Sequence, residues 1–119
     1  MIVLILMVLA TTVAAAQQDT KLPPFDPAAY SGEVRRALRY AEDECKQQGG
    51  DKVTFATNTV RRIDLTGDGR DDHIVDLSEA KCDGVASAFC GTAGCTIDII
   101  VTLPNGKSRS VFSDRVRSY

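Results

Sequence analysis

Cys95-Thr96-Ile97-Asp98-Ile99-Ile100-Val101-Thr102-Leu103 carries the strongest strand signal in the chain. Six of its nine residues are β-branched, a side-chain shape that packs well on a pleated surface. Pro104-Asn105-Gly106 follows it. Asn-Gly supplies the positive φ angles of tight hairpins, so Lys107 to Phe112 reads as the return strand. The tail Asp114 to Tyr119 still alternates as a strand does and then stops without a turn. It is expected to form an edge strand, or to belong to a chain truncated at this end.

Upstream the same period of two recurs. His73-Ile74-Val75-Asp76-Leu77 reads as a strand. Val53 to Thr57 and Thr59 to Ile63 read as two strands, or as one strand bent near Asn58. Before them, residues 29–48 change to a helical period, with Val34, Leu38, Ala41 and Cys45 on one face and Ala37 beside them. Ser31 is a plausible N-cap, Glu33 suits the first turn, and Gly49-Gly50 ends the helix. Arg35, Arg36, Arg39, Glu42, Asp43 and Lys46 take the remaining faces, as a solvated surface or as a basic patch for an acidic partner. The expected fold class is therefore α+β: one N-terminal helix packed on a small antiparallel sheet of four to five strands.

The N-terminus sets the compartment. Ile2 to Ala10 is continuously apolar, and Ala14-Ala15-Ala16 places small residues where signal peptidase reads. Residues 1–16 are thus expected to be a cleaved signal peptide, with residues 17–28 a flexible, proline-rich lead-in and 29–119 a single domain. The rival, an uncleaved anchor, is disfavoured because a membrane span needs roughly 20 residues. The apolar run lacks a preceding Lys or Arg, which points to a weak signal or to a start set a few residues late. The expected location is periplasmic or secreted, with no membrane insertion surviving cleavage.

Composition narrows the partners. A formal charge of −2 argues against nucleic acid, which selects a basic surface. A chain without Trp, carrying three Tyr and four Phe, builds a thin core and needs covalent help. Its four cysteines, Cys45, Cys82, Cys90 and Cys95, are expected to form two disulfides in an oxidising compartment. Three pairings exist. The compact, glycine-containing Cys90–Cys95 loop favours Cys90–Cys95 with Cys45–Cys82. Thiol redox chemistry normally uses two intervening residues and here there are four. Zinc is disfavoured because the single histidine, His73, lies far from cysteine-pair spacing.

One constellation carries chemistry: Asp64-Leu65-Thr66-Gly67-Asp68-Gly69-Arg70-Asp71-Asp72. Calcium takes six to eight oxygen ligands, which a loop supplies at alternate positions. Asp64, Thr66, Asp68 and Asp72 stand at positions one, three, five and nine. Arg70, at seven, can offer its carbonyl, and Gly69 allows the sharp turn at six. The loop resembles the calcium loop of FG-GAP-type repeats, Asp-x-Asn-Gly-Asp-Gly-x-x-Asp between two strands. It also resembles the first part of an EF-hand or dockerin loop, although Val75 stands where those carry a bidentate Glu. The resemblance covers nine to twelve residues and implies a structural Ca2+ site of modest affinity, on the order of 10⁻⁴–10⁻³ M. The alternative is an ion-free turn, since Asp and Gly also dominate ordinary turns. With Asp-x-x-Gly-Asp-Gly-Arg-x-Asp and Phe89 to Cys95, the mature chain is also similar to small exported proteins of alphaproteobacteria. That resemblance implies a periplasmic location and no particular activity.

Two function classes follow. The first is a non-catalytic binding or inhibitor-like module with a periplasmic protein partner. Gly84 to Cys95 would be its presenting loop, with Val85 and Phe89 as anchors, unless that segment is simply a disulfide-closed strand connection. The second is a small hydrolase using the acidic loop. It has His73 as the sole imidazole base, Ser78, Ser87, Ser108 and Ser110 outside any nucleophile-elbow context, and too few aromatics for a sugar cleft.

Overall fold

A computed structural model describes residues 24–117 of the chain. The expected signal peptide over residues 1–16, the expected lead-in as far as residue 23 and the last two residues lie outside the described part.

A 3-10 turn at Pro27–Ala29, capped by Asp26, leads into helix α1, Gly32–Gln47. Its buried stripe is Val34, Ala37, Leu38, Ala41 and Cys45, the face that the helical period marks. Ser31 occupies the N-cap position but makes no side-chain cap bond. The Ser108 hydroxyl, from the far hairpin strand, accepts the Glu33 N–H instead at 2.8 Å. A sequence pattern seeks caps among neighbours, whereas this one arrives from 75 residues away. At the other end Gly49, at φ +89°, donates to Lys46, and Gly50 donates to Cys45. Those two bonds satisfy the last helical carbonyls as a Schellman motif.

Two antiparallel sheets lie under the helix rather than one. The smaller pairs β1, Val53–Phe55, with β4, Ala80–Cys82. The larger contains β2, Val60–Ile63; β3, Asp72–Asp76; β5, Cys90–Gly91; β6, Gly94–Thr102; and β7, Ser108–Val116. Strand β6 is its centre: β7 flanks one side along its length, and β3 and then β5 take the other. The segment 53–63 is therefore not one bent strand. It turns at Ala56 to Thr59 and passes from one sheet to the other. Thr59, fully buried at that crossing, is satisfied on both sides: its hydroxyl reaches the Glu79 carbonyl and its own carbonyl accepts from Asp76. Both disulfides form as expected, Cys45–Cys82 and Cys90–Cys95. The first clamps the small sheet to the C-terminal half of α1.

The β6–β7 hairpin differs in detail. Gly106 (φ +81°) has positive φ and Asn105 does not. Gly106 donates to Leu103, and Leu103 donates to Lys107. This is a three-residue loop, a type I turn closed by a left-handed glycine, for which Pro104 suits the second turn position. Strand β7 then carries a bulge: Ile99 faces Phe112 and Ile100 faces Ser110, leaving Val111 as the extra residue.

The sheet has a covered and an open face. Val60, Val75 and Ile100 point into the core with α1, together with Leu77, Ala80, Cys82, Ala88 and Phe89. On the opposite face lie Ile63, Ile74, Ile99, Val101 and Phe112, with Ile63 and Phe112 exposed. Gly84 to Cys95 is a closed connection. Phe89 is buried, Val85 is half-buried against the core, and the Gln48 side chain ties the segment to α1 through the Ala88 carbonyl. Of the two expected anchors, Phe89 is taken into the core and Val85 is only partly presented to solvent.

Candidate functional site

The acidic loop folds around its own backbone. Asp64 accepts the N–H groups of Gly67 (2.7 Å) and Gly69 (2.8 Å). These bonds, the Gly69 one foremost, hold its carboxyl below the usual range. Gly67 and Gly69 both adopt positive φ, +74° and +81°, which lets their N–H groups turn inward. Asp68 accepts the Arg70 N–H and pairs with its guanidinium at 3.1 Å, and the backbone bond lowers its carboxyl as well. Asp72 is fully buried and reaches out of the loop: one oxygen takes Leu65 N–H, the other Thr102 N–H on β6. Asp71 joins the same seam, its carbonyl accepting from the Thr102 hydroxyl.

Of the expected ligands, Asp64, Thr66 and Asp72 are brought together. The Thr66 hydroxyl lies 3.5 Å from an oxygen of each carboxylate. Asp68 also meets the Thr66 hydroxyl, but the Arg70 N–H and guanidinium hold its carboxylate foremost. Among the described residues no three acidic, histidine or cysteine side chains converge as a metal cluster. Calcium would therefore find oxygens at positions one, three and nine in place, and position five one rotation away. That rotation breaks an exposed ion pair, which contributes little, and also the bond from the Arg70 N–H.

A second feature has no counterpart in the sequence reading. A cavity of about 520 Å³ opens where the start of α1 meets the covered face of the sheet. Tyr30, Arg62, His73, Lys107 and Ser108 line it, with one carboxylate, Glu33, which pairs with Arg36. Arg62 and His73 are direct cross-strand partners on β2 and β3. The Arg62 guanidinium lies 5.8 Å from the centroid of the Tyr30 ring, and the His73 imidazole meets that ring edge-on at 6.4 Å. His73 Nδ1 is sealed from solvent without a hydrogen-bond partner among the described residues. Burial, then Arg62, pushes the imidazole below its ordinary value, while Asp71 and Asp72 pull the other way. The cavity could not be read from the sequence because Arg62, His73 and Lys107 are far apart in the chain and come together only in the fold.

Beside it, under α1, Asp98 is nearly buried opposite Val75 and Ser113. Burial raises its carboxyl above the usual range; a Ser113 hydrogen bond lowers it, and Glu33 adds to the rise. A carboxyl with a raised folded pKa supports the fold in acid and loses that support as pH rises through it. Asp98→Asn is therefore expected to raise the melting temperature at neutral pH. The gain should vanish at about pH 3, where both states hold the proton. An equal gain at both pH values would refute this electrostatic account.

No family model, curated protein or solved structure matches the chain, so its chemistry rests on its own geometry.

Proposed function

We propose that this chain is an exported, non-catalytic binding module whose cavity at the start of α1 takes an oxyanion, carboxylate or phosphate, and whose 64–72 loop takes calcium as a structural brace. The cavity carries the reading. Arg62, Lys107 and His73 bring cationic and donor groups from three elements to one concave space, and Tyr30 gives it an aromatic wall. Two of the four candidate serines are already engaged, Ser108 as a cap on α1 and Ser78 as a donor to Asp76, which supports a non-catalytic role. Two disulfides support export, because such bonds persist in oxidising compartments. No helix among the described residues is long and apolar enough to cross a membrane.

His73 is the chain's single histidine, so its ring protons report on the cavity without ambiguity. Adding inorganic phosphate should shift them saturably and raise the imidazole pKa, because a bound anion favours the charged ring. In Arg62→Gln or Lys107→Gln the affinity should fall roughly 10-fold, the scale of one charge-assisted contact. Resonances that ignore phosphate would overturn the cavity reading.

The calcium brace is tested separately by thermal melting. Millimolar calcium should raise the melting temperature of the native chain by several degrees over chelator, as about 1 kcal/mol of linkage does in a domain of this size. Asp64→Ala should abolish that shift. Identical melting with calcium and with chelator would sink the brace and leave the cavity untouched.

A further inference from the structure

We infer that β7 is a homodimerisation strand, pairing antiparallel with β7 of a second copy across a two-fold axis between Val111 and Phe112. Its outer edge pairs with no strand among the described residues. It is nine residues long, and it exposes Val111 (54%) and Phe112 (40%) at its middle. A long edge with apolar side chains is a template for another strand.

The bulge and the charges select one register. Arg109, Phe112 and Asp114 lie opposite Val101, Ile99 and Ile97 on the open face, whereas Ser110 and Ser113 lie opposite Ile100 and Asp98 on the helix side. In a joined sheet, partners across the seam must share a face. Two-fold pairing about the Val111–Phe112 bond meets this throughout. Arg109 faces the other copy's Asp114, Ser110 faces Ser113, and Val111 faces Phe112, each twice. Moving the register by one residue sets open-face side chains against helix-side ones. Moving it by two sets Val111 against Ser110, or Phe112 against Ser113. A bulge normally spoils an edge for pairing. Here each strand brings the same extra residue to the axis, so the mismatch cancels. The selected register also places both Arg109–Asp114 pairs as opposite charges, which stabilise cross-strand contacts, and it gathers four apolar side chains at the centre.

Charge exchange tests this directly. Arg109 and Asp114 are exposed, so their variants should keep the native circular dichroism. The disulfide-intact chain should sediment as a dimer at sub-millimolar concentration. Arg109→Asp places acid against acid at both contacts and Asp114→Arg places base against base, so each variant should dissociate at least roughly 10-fold more readily. Mixed in equal amounts, the two should recover dimerisation as a heterodimer with both contacts complementary. A native chain that stays monomeric at about 1 mM, single variants that dimerise like the native chain, or a mixture that fails to recover would each overturn the proposal.

Discussion

Replacing Cys45 and Cys82 together by alanine is expected to remove about 4 kcal/mol of stability, the chain-entropy value for a loop closed across this separation. The bond spans 37 residues. It also joins the last turn of α1 to the small sheet, whose two strands share only three residue pairs. So short a ribbon is marginal alone. The double variant should therefore lower the urea midpoint sharply and lose protection of the β1–β4 amides first. Gly50→Ala gives an independent check. A Cβ there would drive into the sulfurs of both cysteines and crowd the Cys45 carbonyl at 2.9 Å. That variant should approach the instability of the double variant while both cysteines remain. A double variant within about 1 kcal/mol of native, well short of that estimate, would show that helix packing alone holds the small sheet.

Asp72→Ala should cost about 3 kcal/mol when measured in chelator, where no cation contributes. Its two oxygens satisfy N–H groups on separate elements, Leu65 in the loop and Thr102 on the central strand. Truncation strands both donors, and an unsatisfied buried donor costs about 1–3 kcal/mol. Asp72→Asn retains one acceptor oxygen and should lose less. Equal losses for the two variants would mean that charge, not donor satisfaction, sets the role of Asp72. Because the measurement excludes calcium, it separates the carboxylate's structural work from any service as a ligand.

The sequence makes some of this legible and not the rest, for physical reasons. Local periodicity exposes the buried stripe of α1 and the β6–β7 hairpin, because each is decided within a dozen residues. The disulfide pairing follows from the compact Cys90–Cys95 loop. The division into two sheets does not show, since Val53 to Ile63 has the alternation of one strand and the break lies in a buried Thr59 serving both sides. Caps and cavities that depend on register are silent too: Ser108 on Glu33, or Arg62 beside His73, exists only once β2, β3 and β7 are aligned. In the acidic loop the spacing foretells the oxygens of Asp64, Thr66 and Asp72. It does not foretell the preference of Asp68 for Arg70, a choice between two nearby charges.

The two disulfides join the first cysteine to the second and the third to the fourth. On the export route proposed above, the chain would leave a translocation pore N-terminus first and expose Cys45 and Cys82 before Cys90 and Cys95. An oxidant that couples thiols in order of emergence thus makes the native bonds at the first attempt, and thiol–disulfide exchange has no wrong partner to undo. On that route, maturation should depend on an oxidase and be indifferent to a disulfide isomerase.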